Sequence, residues 1–161
     1  MLAPFVRAKL QRLKVTAVET RYALEFDGAI AIGPRVAWAA GLAEFERVEV
    51  YNVVRCESIF LHVLFGAEGS VEIWTNGPHR TQRGDTLRVT AFAWLTGDEI
   101  AGHAATLALI GKQNAPIEIR RIKARSVPID PSFVPIPPRE DERRRQVSAP
   151  LASTIPASAR A

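Results

Sequence analysis

Asp27-Gly28-Ala29-Ile30-Ala31-Ile32-Gly33-Pro34-Arg35-Val36-Ala37-Trp38-Ala39-Ala40-Gly41 is the stretch whose reading decides the fold. Asp27-Gly28 is a turn dipeptide, and Ala29–Ile32 after it is a short apolar strand. Pro34 stands where a helix tolerates proline, because the first helical N–H groups have no intrahelical partner. Pro34–Ala40 is alanine-rich, with Val36 and Trp38 adding apolar surface. Gly41 supplies the stop, since glycine takes the left-handed conformation that ends many helices.

Reading outward, the flanking segments are short strands. Phe5–Val18 alternates apolar and charged residues and predicts one long strand; Arg21–Phe26 predicts a short one before the turn. Arg47–Val54 alternates as a half-buried strand should. Ser58–Phe65 is almost continuously apolar and predicts a strand buried on both faces. Val71–Thr75, Thr86–Leu95, Ala104–Ile110 and Ile117–Ile122 follow, separated by turns at Gly66–Ser70, Asn76-Gly77-Pro78 and Gly84-Asp85, with one helical turn at Gly97–Ala101. Closely spaced short strands with one or two short helices predict a mainly β fold, a small closed barrel. No internal repeat is present.

Composition agrees with a single domain: 161 residues, 47% hydrophobic and 24% charged. No apolar run of about 18 residues occurs, so no membrane span is expected. Met1–Lys14 has scattered cations and no apolar signal core, which predicts a cytoplasmic protein. The single Cys56 excludes an internal disulfide and a multi-cysteine metal site. The net charge of +4 comes from the C-terminus, where residues 120–161 hold nine Arg/Lys against four Asp/Glu. Residues 1–119 are near neutral, so nucleic acid is not an expected partner. Eight of the eleven prolines lie at or beyond Pro116. Proline cannot donate to a ladder, so residues 1–125 are expected to form the barrel and 126–161 a Pro/Arg-rich extended arm and tail.

Four segments, in order and at the right spacing, resemble the pyruvoyl-dependent aspartate 1-decarboxylases. They are Ala8–Thr16; Asp27–Ile32 with the helix end Ala39-Ala40-Gly41-Leu42; Val48–Val53; and Asn76-Gly77 followed by Gly84-Asp85. The match runs over about residues 5–115. The resemblance implies a six-stranded double-psi β-barrel, a homotetramer with sites between subunits, and a small-molecule substrate. It also implies a Gly-Ser bond at which the chain splits, the serine becoming a pyruvoyl group. Here that pair is Gly28-Ala29, a vestigial processing site without a nucleophile, and the loop before it carries extra residues near Ala23–Phe26. No cofactor is therefore expected. Gly69-Ser70, in a turn, is the one Gly-Ser pair in the chain. By the same resemblance Lys9 and Asn76 keep the family's residue types. The substrate-carboxylate arginine matches Ser58, the nearby threonine Leu61, and the tyrosine proton donor His62. The histidine two places after the lysine is Gln11. Losing that arginine removes a charge-assisted, bidentate contact, which Arg55, three places away, restores only if its loop is reshaped.

Read without the family, His62 is either a satisfied core histidine or a general acid/base. Lys9 is a solvated strand lysine or, if desolvated, a base or clamp. Asn76 and Gly77 offer an amide and a backbone N–H to an oxyanion, or form an ordinary turn. Tyr51, Phe60 and Trp74 are pocket walls or core, and Asp27 and Glu25 are carboxylates on the turn. His79 and His103 have no clustered partner, so no metal is expected. The reading favoured is a repurposed, cofactor-free acid/base enzyme with His62 and Lys9 as catalytic groups and Ser58, Tyr51, Phe60, Trp74, Asn76 and Gly77 at the substrate. Its chemistry would be cyclisation, isomerisation, dehydration or a similar lyase step on a biosynthetic intermediate. A non-catalytic binding paralogue and a decarboxylase precursor with serine replaced by alanine are the alternatives.

Overall fold

A computed structural model describes residues 2–19, 28–75 and 77–125. The elements are β1 (Ala3–Lys14), β2 (Ala17–Glu19), β3 (Ala29–Ile32), α1 (Pro34–Ala40), β4 (Arg47–Asn52), β5 (Glu57–Phe65), β6 (Val71–Trp74), β7 (Thr86–Leu95), α2 (Gly97–Ile100), β8 (Ala104–Ile110) and β9 (Pro116–Lys123). All nine strands join one mixed sheet in the order β2-β6-β3-β5-β4-β7-β1-β8-β9. The protein is mainly β and barrel-like, with two short helices.

The turn, cap and strand signals act as the sequence predicts at α1. Pro34 occupies its first turn, and Gly41 takes φ 64° to end it. The Gly41 N–H donates to the Trp38 carbonyl and the Leu42 N–H to the Ala37 carbonyl, closing a Schellman motif. Val36, Ala37, Ala39 and Ala40 are buried, while Trp38 points away from the core.

Period-two alternation puts one aliphatic set inside. Leu10, Leu13, Ile30, Ile32, Val48, Val50, Leu61, Val63, Ile73, Leu87 and Val89 are each no more than 2% exposed. Burying such side chains stabilises by about 1.5–3 kcal/mol each before the entropy cost.

Two expectations change. The long strand Phe5–Val18 is two strands. Arg12 takes φ 68° at a shift of register between Leu10 and Leu13. The ladder then ends, with the Val15 N–H donating to Asp85 O and the Thr16 N–H to Val71 O. That hand-over carries the chain from β7 to the β2·β6 pairing. β5 is not buried on both faces, since Leu61 and Val63 are buried whereas Phe60 and Phe65 are 52% and 44% exposed. An apolar run alone cannot separate a doubly buried strand from one with an aromatic outer face. The sheet holds nine strands among the described residues. β9 pairs only with β8 at the sheet edge and is mostly exposed. The predicted strand Arg21–Phe26 and the arm beyond residue 125 fall outside the described residues. No described helix is long and apolar enough to cross a membrane.

Candidate functional site

The outward parity of the sheet gathers most of the residues singled out in the sequence. Ala29 opens β3, paired with His62 of parallel β5 on one side and Trp74 of antiparallel β6 on the other. His62 is paired in turn with Arg47 of β4. Directly paired residues project from the same face of a sheet, so Trp74, Ala29, His62 and Arg47 form one row. The next row is Phe60, Glu49, Thr90 and Lys9, and the third is Ser58, Tyr51 and Arg88.

The first row is the tightest. The His62 N–H donates to the Gly28 carbonyl at 3.0 Å, locking the strand start against β5. Gly28 itself, at φ 146°, faces inward. A Cβ there would meet Leu61 Cδ2 at 2.7 Å, so only glycine fits between Leu61 and Thr75. Ala29 is fully buried, and Trp74 Nε1 donates to the Glu72 carboxylate at 2.9 Å. His62 is half-buried.

Other predicted residues are placed differently. Lys9 shares the outer face but sits on β1, three ladders from β5, about 14 Å across at the usual strand spacing. Within one chain Lys9 and His62 therefore do not converge on one small molecule's reacting atom. Ser58 is exposed opposite Tyr51. The Tyr51 hydroxyl is pushed up, first by a hydrogen bond with the Cys56 thiol, against the opposing Arg88 guanidinium, which lies 5.3 Å from its ring centroid. Gly77 is exposed, and its N–H already donates to Thr75 Oγ1 at 3.0 Å. That donor is committed to the turn, not to an oxyanion. Asn76, Asp27 and Glu25 lie outside the described residues.

Arg55 does not replace the lost arginine. Its Nε donates to Asp85 Oδ2 at 3.1 Å and its guanidinium to Gln82 Oε1 at 2.8 Å. Asp85 also accepts from the Asn52 amide at 2.9 Å and from the Gln82 N–H at 3.0 Å. The carboxyl is held down to about 2, led by the Asn52 hydrogen bond and helped by Arg55. This network fixes the end of β4 to the loop before β7.

His103 makes a 2.7 Å hydrogen bond with the Val6 carbonyl, so it serves the β1 edge. Among the described residues no three His, Cys, Asp or Glu side chains could hold a metal. The pyruvoyl group implied by the resemblance needs a hydroxyl at position 29, and the residues present do not fit it, because Ala29 offers a methyl.

Sequence reasoning missed Arg47, Glu49, Arg88 and Thr90 on this face. Their parity along β4 and β7 was readable, but which strands pair with β5, and in what register, was not.

Fold and face together define a small mainly β protein whose outward sheet surface carries a histidine beside the start of a short central strand. The family model for aspartate decarboxylase matches residues 1–117. Aspartate 1-decarboxylase of Cupriavidus taiwanensis is 34% identical over 119 residues, 73% of this chain and 96% of that protein. That of Bordetella pertussis is 34% identical over 121 residues, 74% of this chain and 96% of its own length. The chain belongs to the aspartate decarboxylase family.

Proposed function

We propose that this chain is a pyruvoyl-free member of its family that carries out acid/base chemistry on an organic intermediate, with His62 as the proton-transferring group. The observation that carries this reading is the direct pairing of His62 with Ala29. An imidazole, a side chain that can both take and give a proton, stands beside the position where the prosthetic group would otherwise arise. Trp74 on the other side of Ala29 supplies an apolar wall, which strengthens electrostatic effects by excluding water. His62 takes a proton from an acidified carbon or oxygen and returns it elsewhere on the same molecule. Cyclisation, isomerisation and dehydration all meet that requirement without a cofactor. Aspartate is not the substrate, because Ala29 cannot become an electron sink, Ser58 cannot hold a carboxylate as arginine does, and Arg55 is engaged elsewhere. Lys9 acts on such a ligand only if a second copy brings its β1 face against β5, so the same reading places the site at a boundary between copies.

The test is made on the purified chain. Its mass should be a single species near 17.7 kDa, with no carbonyl that traps hydroxylamine and no β-alanine formed from L-aspartate. Incubated in deuterated water with a panel of organic acids and ketones, it should place deuterium in at least one of them, in proportion to protein. Fragments divided between Gly28 and Ala29, or no exchange into any compound, would overturn the reading.

A further inference from the structure

Next to His62 the outer face opens into a cleft of about 350 Å³ lined by Pro4, Arg47, Phe60, Phe92 and Trp94. That volume suits a small molecule. Two of its aromatic walls are unusually open, Phe60 at 52% and Trp94 at 66% exposed. Large aromatics left in water on one face are the mark of a surface that is covered in use.

Arg47 is the one cation in this wall. Its Cζ lies over the Phe60 ring, 4.6 Å from the centroid. A guanidinium over an aromatic ring still carries in-plane N–H donors whose fork matches a planar, two-oxygen partner. Among the described residues no carboxylate lies within 4.0 Å of Arg47, whereas Arg7, Arg55, Arg80 and Arg120 each have one. Glu49, two residues along β4 on the same face, does not reach it. Arg47 is also the ladder partner of His62, so an anion bound there presents the rest of its molecule to the imidazole.

We propose that Arg47 and the aromatic walls form a binding site for a small organic monocarboxylate with an apolar or aromatic body. One cation among four apolar side chains favours one anionic group, and disfavours a ligand with a second charge to desolvate. The placing of the ligand's body at His62 rests on the proposed acid/base reading; the recognition of the carboxylate does not.

trans-Cinnamate and its neutral counterpart cinnamamide separate charge from shape. Titration calorimetry on the full chain should show cinnamate binding at least about ten-fold more tightly, the scale of a charge-assisted contact. Arg47→Gln should abolish that preference while Arg47→Lys keeps part of it. Phe60→Leu should weaken acid and amide alike. Arg47 is exposed, so an unchanged melting curve is expected for both arginine variants. Equal affinity for acid and amide, a preference that survives Arg47→Gln, or no binding of either compound would overturn the site. His62→Ala should leave the acid preference intact. If it does while no organic acid is ever turned over, the catalytic reading fails and the binding site stands.

Discussion

Along β5 the side chains divide by parity. Leu61 and Val63 point inward and are buried with Ile30, Val48, Val50 and Ile73. Ser58, Phe60 and His62 point outward with Tyr51, Glu49 and Arg47 of β4. The inner set is aliphatic and closely packed, so its sequence is dictated by volume and shape. The outer set mixes aromatic, cationic, acidic and hydroxylic residues, and shape alone explains none of them. The contrast teaches where this chain keeps its fold and which face is left for the proposed chemistry. A shared fold comes from one face, and on the other face a different chemistry can be built without disturbing it.

Substitutions at neighbouring positions test this division. The largest expected effect is on turnover: His62→Ala should lower any deuterium exchange by at least about 100-fold, the usual scale of a lost general acid/base. Its urea midpoint should stay close to that of the parent chain. A large fall in midpoint would make His62 a structural residue and break the comparison. One position earlier the pattern should invert. Leu61→Ala should cost about 2–5 kcal/mol of stability, measured by urea unfolding, because it opens a cavity in a packed interior. Phe60→Ala, on the half-open outer face, should cost clearly less despite removing more atoms. Equal losses at Leu61 and Phe60 would mean that the outer face is part of the folding core.

The inner face is legible in the sequence. α1 falls at Pro34–Ala40 with Gly41 as its stop, and β7 and β8 fall at Thr86–Leu95 and Ala104–Ile110 as predicted, because glycine, proline and aspartate mark their ends. The break between β1 and β2 was not legible. It depends on Arg12 in a left-handed conformation and on hydrogen bonds to Asp85 and Val71, both far along the chain. The candidate site was half legible. His62, Trp74, Tyr51 and Phe60 were recognisable by type, and their common face follows from the strand pairing. Arg47 was not singled out, since an arginine opening a strand looks like any solvated charge until the Phe60 ring is found beneath it. Arg55, a replacement only if its loop were reshaped, is held by Asp85 and Gln82.

Asn52 is among the buried polar residues that break the aliphatic rule, and its cluster gives the smallest of the expected effects. Asn52 ends the inner parity of β4 at 2% exposure, donating to Thr81 Oγ1 and Asp85 Oδ2. Its own carbonyl accepts from the Val54 and Arg55 N–H groups. A buried amide is tolerated there only because all of these partners exist. Asp85 is the hub, and its carboxyl is held down from 3.8 to about 2 by Asn52 first, with Arg55 and the Gln82 N–H adding to it against the opposing cost of burial. A carboxyl with a folded-state value below its unfolded one stabilises the fold above the unfolded value and loses that contribution as pH falls toward the folded one. The urea midpoint should therefore drop between about pH 4 and pH 2, as Asp85 takes up its proton. Asp85→Asn keeps one acceptor oxygen and removes the charge. It should cost about 1–3 kcal/mol at neutral pH, less than Leu61→Ala, and should flatten the fall between pH 4 and pH 2. An unchanged acid dependence in Asp85→Asn would show that this polar cluster is not what ties β4 to the loop before β7. The inner face would then owe its stability to aliphatic packing alone.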